Sequence, residues 1–500
     1  MIRLLIAAAL LSLYAVVARA GEVQTSFAAD ELLARRDAAE ASFRDQLAEL
    51  AQWCEGRELT EAAALVRGWL PIRDPLKAYI FKLPESRDPP KHIYSADAVA
   101  SEFWQRFIEL REAQATALLR LAKQAHAAQD YALSFDLVRE ACRENPDHAQ
   151  ARAILGYERY NGGWALPDTA RRLVAGQAHH EKFGWLPARH AKRYEQGQRF
   201  FRGRWLTAAE DERLHSAIGS GWRIESEHYV VTTNHSLEEG VGLSRRLEEL
   251  YDVWRHVFVD YYSPSTTMQR WFEDGDAENS GGSGRGTKTM VRPRHQVTYF
   301  RNRDEYKNAL RPLQPQIEIT LGIYFARPRT AYFFAGDEQY AGTLLHEGTH
   351  QLFQETRQTS NAAGTRSNFW AVEAVACYME SLVEHEHWYT LGGPREGRVP
   401  AARKRLLEDQ FYVPLSEVTW LGMHDLQRDQ RLPKIYSQIA GQAWFFLHAD
   451  GGRHRQPFIE TLIAVYTGKA DAHTLAKACG KSYEQLDGEY RRFMLTMNDE

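Results

Sequence analysis

The stretch LLHEGTHQLF, Leu344 to Phe353, sets His346 and His350 four positions apart with Glu347 directly after the first. On an α-helix this spacing puts the two imidazoles about 40° apart and roughly one turn from each other, and the spacing works only on a helix. A helix from about Asp337 to Phe353 carries an apolar stripe through Ala341, Leu345, Gly348 and Leu352, with the histidines on a different face. Flanking hydrophobic residues imply that the histidines are buried as well, and buried imidazoles need partners. Two imidazoles stacked in this way can both reach one metal ion at about 2.0 to 2.1 Å. The remainder of the chain must then bring another ligand to the same point.

A zinc site with an open position needs a third protein ligand. The segment SNFWAVEAVACYMESLVEH, Ser367 to His385, reads as a second helix with a core stripe of Ala371, Ala374, Val375, Tyr378 and Leu382. Glu373 stands alone in its apolar run, where desolvating a carboxylate is costly unless a cation compensates. Glu380, seven positions on, is the reserve ligand. The polar, glycine-containing stretch Gln354 to Asn368 supplies the loop between the helices. Gly342 and Gly348 weaken the first helix by roughly 0.5 to 1 kcal/mol each relative to alanine, which close helix packing would explain.

With 500 residues, 44% of them hydrophobic and 12% aromatic, the chain can bury several cores, so two or three domains are expected. Lysine plus arginine (62) nearly balance aspartate plus glutamate (66), with no dense basic block, which argues against a nucleic-acid partner. The first twenty residues combine Arg3, an apolar run from Leu4 to Ala18, and small Ala18 and Ala20. They read as a secretory signal cleaved before Gly21, and no later run reaches the roughly 20 apolar residues of a membrane span. A periplasmic or extracellular protein is expected. Cys54, Cys142, Cys377 and Cys479 allow three pairings, among which the sequence does not choose.

From Glu22 to about Gly219 the chain reads as a mostly helical domain. Within it Asp130 to Tyr160 has two helix-length runs broken by Asn145-Pro146-Asp147, resembling one tetratricopeptide hairpin within 113–160. An ordinary helical hairpin fits the same residues, and a protein partner for this half is the corresponding functional expectation. A strand follows in WRIESEHYVVTTN from Trp222, then an amphipathic helix from about Leu237 to Tyr261. Glu273 to Lys288 is glycine-rich and reads as a flexible loop. HQVTYF, IEITLGIYF and TAYFF complete a small sheet. EHEH, Glu384 to His387, reads as the solvated end of the second helix, and AHH, Ala178 to His180, as ordinary surface.

LLHEGTHQLF followed by NFWAVEAVACYME resembles the gluzincin zinc metallopeptidases, in their peptidase MA-like branch. WRIESEHYVVTTN, the long helix after it and the tail YEQLDGEYRRFM resemble an uncharacterised bacterial domain-of-unknown-function family in that clan. The resemblance covers about Trp222 to the end and implies an α+β, mostly helical protein: a helical, partly tetratricopeptide-like domain over 21–219, then a thermolysin-like zincin domain over 220–500 with a small mixed sheet. It implies that His346, His350 and Glu373 hold Zn²⁺ and that Glu347 is the general base, because zinc lowers the pKa of its bound water to about 7 and a nearby carboxylate can then take the proton. It further implies an oxyanion donor beyond the glutamate ligand, either Tyr436 or His448, and a peptide-docking edge strand, read here as Thr330 to Phe334. Cys377 departs from the family pattern, in which an acidic residue at that position orients a ligand histidine. Three readings stand: an exported zinc metallopeptidase acting on protein or peptide, a zinc-containing but inactive relative used for protein binding, and a helical-repeat scaffold with a coincidental motif.

Overall fold

The computed structural model describes residues 31–84, 98–279, 293–336 and 341–496. The segment expected to be a secretory signal therefore lies outside the described residues. The chain is a mostly helical α+β protein with small open sheets. Among the described residues no helix is long and apolar enough to cross a membrane. The four cysteines are all free thiols.

The chain divides into two compact units, one of Met1–Ile72, Phe81–Ala165 and Ser263–Thr287, the other of Arg73–Ile80, Leu166–Tyr262 and Lys288–Glu500. The first is mostly helical. Its core joins Phe43, Leu47 and Leu50 of helical residues 31–55 to Phe103 and Phe107 of the helix Ala98–Ala127. That helix packs on Tyr131–Glu144, whose start is capped by the Asp130 carboxylate accepting from the Leu133 amide. Glu144 is buried, and Trp69, Arg111 and Arg143 donate to it, so its charge is both paired and hydrogen-bonded. Beyond Asn145-Pro146-Asp147 the second run of the expected hairpin is a helix of only six residues, Ala149–Ile154. The expected glycine-rich loop is also partly helix: Ser265–Asn279 is helical, and the rest of that segment lies outside the described residues.

The expectation of helix up to Gly219 fails over a longer stretch. Three β-hairpins occupy it, Glu158–Tyr160 with Gly163–Ala165, Gln177–His180 with Gly184–Pro187, and Gln198–Phe201 with Arg204–Thr207. Each is followed by a short helix: Pro167–Val174, Ala191–Glu195 and Ala208–Leu214. The second strands carry Trp164, Trp185 and Trp205, 21 and 20 positions apart, each beneath an arginine guanidinium, Arg159, Arg172 and Arg193 in turn. Tight glycine turns allow the hairpins; Gly162 and Gly203 have positive φ.

The second unit contains a five-stranded mixed sheet built from β1 Trp222–Glu225, β2 Tyr229–Thr233, β3 His295–Phe300, β4 Ile323–Phe325 and β5 Thr330–Phe334. Their order is β4-β5-β3-β2-β1, with β3 parallel to both β2 and β5, and with β4 and β1 antiparallel to their neighbours. Thr330–Phe334 is thus an interior strand, and the edge beside it is Ile323–Phe325. The rest of IEITLGIYF does not extend that edge, because Ile317–Ile319 is a 3₁₀ turn.

Helix α1, Leu237–Val257, lies against β1 and β2, and the motif helix α2, Ala341–Glu355, lies against α1, β4 and β5. The face that α2 buries runs through Leu344, Gly348 and Leu352, while Ala341 is exposed, so the apolar stripe is rotated from the expected one. A Cβ on Gly348 would meet Leu250 Cδ2 of α1 at 2.5 Å. Close approach of these two helices is what this glycine permits. Residues 337–340, the expected first turn, lie outside the described residues.

Candidate metal centre

The second site helix, α3, is Phe369–Met379, and all eleven of its residues are buried. It packs against α2 on one side and against α4, Leu432–His448, on another, so it has no solvent face and no amphipathic period. Its start is fixed by Asn368, at φ 57°, a left-handed conformation that asparagine tolerates. The Asn368 and Phe369 amides donate to the Thr419 and Leu421 carbonyls, which pins the entry of the helix and with it the position of Glu373. Leu382 and the EHEH stretch fall beyond this helix. Val383–Glu384 is a strand paired with Trp388–Leu391, so Glu384 to His387 forms a hairpin end, not a helix terminus.

His346, His350 and Glu373 converge. His346 Nε2 lies 3.1 Å from His350 Nε2 and 3.2 Å from Glu373 Oε2, and His350 Nε2 lies 3.7 Å from Glu373 Oε1. Tetrahedral zinc with donors at about 2.0–2.1 Å spaces those donors by roughly 3.3–3.4 Å, a value the three separations bracket. Two imidazoles and a carboxylate are also the donor types that zinc takes, so the residues fit the ion.

The electrostatics agree with the distances. Burial alone would lower the His346 pKa, but hydrogen bonds to Cys377, Glu373 and Glu380 outweigh it and raise His346 well above the usual histidine range. Burial would raise Glu373, yet the adjacent His350 and His346 hold it far below the usual carboxylate range. The cluster stabilises positive charge, whether a proton or a divalent cation carries it.

Glu380, the reserve ligand, sits on the other side of His346. Its Oε1 lies 2.8 Å from His346 Nδ1, and Arg398 donates to both of its oxygens at 2.8 Å. This is the arrangement that fixes the tautomer and direction of a metal-binding imidazole. The carboxylate beside His346 Nδ1 thus comes three residues after Cys377, from the start of the turn after α3. His346, Cys377 and Glu380 form a second close group. Burial pushes the Cys377 thiol up, and the Arg398 fork already neutralises Glu380, so this group is the poorer cation host.

Glu347 faces β4. Its Oε2 accepts from the Tyr324 backbone N–H at 2.9 Å. Tyr436, in the first turns of α4, has its ring centroid 6.5 Å from that of His346, in a near-parallel orientation. Burial, then the Glu373 charge, pushes its phenol well above the usual range, so the hydroxyl keeps its proton. His448 is at the opposite end of α4, half-buried, bonded to the Tyr378 hydroxyl at 2.7 Å, with its pKa lowered to about 3 by desolvation. It is occupied there, a dozen residues from Tyr436, and is not an oxyanion donor for this centre.

The sequence did not point to Tyr324, Arg398 or Glu355, whose partners come from distant segments. No family model and no curated protein matches this sequence.

Proposed function

We propose that this protein is an exported zinc-dependent metallopeptidase of the gluzincin type, with His346, His350 and Glu373 holding the metal and Glu347 as general base. The observation that carries the reading is the convergence of three donor atoms, those of buried His346 and Glu373 and half-buried His350, at tetrahedral zinc spacing, with a second acid one residue along the same helix.

Zinc, when bound, supplies Lewis acidity to a water and to the scissile carbonyl. The other roles fall to the chain. Glu347, with one oxygen held by the Tyr324 amide, keeps the other to accept a proton and pass it to the leaving amine. Tyr436 is a neutral O–H donor poised beside the ligands, suited to a developing oxyanion. Glu380 and Arg398 orient His346. The short antiparallel edge Ile323–Phe325, beside Glu347, suits an extended peptide adding a strand. Export rests on the first twenty residues, and a thermolysin-like architecture on the mixed sheet over the motif helix.

Hydrolysis of dye-labelled casein by wild type and by Glu347→Gln tests this. Cleavage by wild type, and its loss in a variant that still holds zinc, is expected. Zinc-loaded wild type inert toward casein and a broad peptide library would overturn the reading in favour of a binding role.

A further inference from the structure

Glu355 ends the motif helix, two turns beyond Glu347, and its side chain is only 4% exposed. Buried carboxylates need partners, and this one has several. The Tyr324 hydroxyl donates to Oε1 at 3.0 Å, Gln351 Nε2 donates to the same oxygen at 3.2 Å, and His295 Nδ1 of β3 lies 2.8 Å from Oε2. Gln351 also donates to the Gln296 carbonyl, tying α2 to β3. Tyr324 therefore touches the motif helix twice, its amide at Glu347 and its hydroxyl at Glu355.

The strand that carries Tyr324 is three residues long and paired on one side only, with β5. So short an edge has little ladder of its own to hold it in place. In an antiparallel pair, alternate residues turn their N–H and C=O groups outward, and an amide that reaches Glu347 is one turned away from β5.

We propose that Tyr324 and Glu355 form a positioning pair for the general base: the buried Glu355 carboxylate anchors the Tyr324 hydroxyl, and this fixes the edge-strand amide that orients Glu347. The proposal rests on the hydrolase reading. Without the anchor the strand still pairs with β5, but its amide wanders relative to the Glu347 carboxylate. The loss then falls on turnover rather than on substrate affinity or metal content, since misplaced catalytic groups cost rate even when binding survives.

Tyr324→Phe removes only the hydroxyl. In zinc-loaded protein acting on dye-labelled casein it should lower kcat about tenfold or more, with KM changed less than about twofold and zinc content unchanged. Tyr412→Phe removes a comparable half-buried hydroxyl, bonded to Asp487 and away from Glu347, and should keep wild-type kcat. Hydrogen exchange in the peptide spanning Tyr324 gives a readout independent of turnover: exchange there should quicken in Tyr324→Phe and in Glu347→Ala. Wild-type kcat together with wild-type exchange in Tyr324→Phe would overturn the proposal, as would an equal kcat loss in Tyr412→Phe. If wild type itself does not cut casein, the hydrolase reading is what fails, and the exchange measurement decides the anchor alone.

Discussion

Glu373 and Glu380 are seven residues apart, and they meet opposite nitrogens of the His346 ring. Glu373 meets Nε2 on the side of His350, and Glu380 meets Nδ1 on the other side of the ring. Desolvation reasoning on the sequence selected Glu373, since it is the carboxylate with no polar neighbour in its run. The part played by Glu380 was not legible there, because its partner Arg398 lies eighteen residues later. Glu380→Gln keeps an oxygen near His346 Nδ1 but removes the charge, and it should weaken zinc binding about 10- to 100-fold in a chelator competition. Unchanged affinity would remove Glu380 from the centre. Tyr436→Phe should keep zinc and lower kcat by about 10²- to 10³-fold, the usual cost of losing one oxyanion donor. An unaltered kcat would reduce Tyr436 to a packed aromatic.

At the scale of elements, the motif helix was legible because its histidines carry a helical period, whereas α3 was legible only in part. A helix buried on every side has no stripe to mark where it stops, so Leu382 and the Glu384 to His387 stretch were assigned to it. The hairpins over Glu158–Thr207 were missed for a different reason: short aromatic strands alternating with short helices mimic continuous helical composition. Their signal was the recurrence of Trp164, Trp185 and Trp205. The edge of the sheet was also misread, since β4 and β5 have the same aromatic character and only pairing decides which lies outside. Gly348 is where α1 and α2 approach closely. Gly348→Ala should cost about 1–3 kcal/mol, seen as a lower urea midpoint, because Leu250 is fully buried and has little room to yield. A neutral result would show that α1 and α2 can separate freely.

At the scale of the second unit, an ion-pair network fastens the helix Pro167–Val174 to the sheet. Arg172 and Arg294 both pair with Asp168 at 2.7 Å and both reach Glu225 of β1, while Glu227 accepts from the Asp168 and Thr169 amides at the start of Pro167–Val174. Burial would raise the Asp168 carboxyl, but Arg172 and Arg294 hold it below the usual carboxylate range. A depressed folded-state pKa contributes stability that is present above the unfolded value near 3.8 and is lost as pH falls through the folded value. Asp168→Asn should therefore be less stable than wild type at pH 7, with the gap closing below about pH 4 as wild type takes up the proton. A gap independent of pH would mean that packing, not charge, holds this segment. Everything proposed about function reduces to whether two helices of this unit bring three donors to one ion. Elemental analysis of purified wild type and Glu373→Ala tests that most directly: the account predicts about one zinc per chain in wild type and little in the variant. Wild type without zinc, or a variant that retains it fully, would contradict the account.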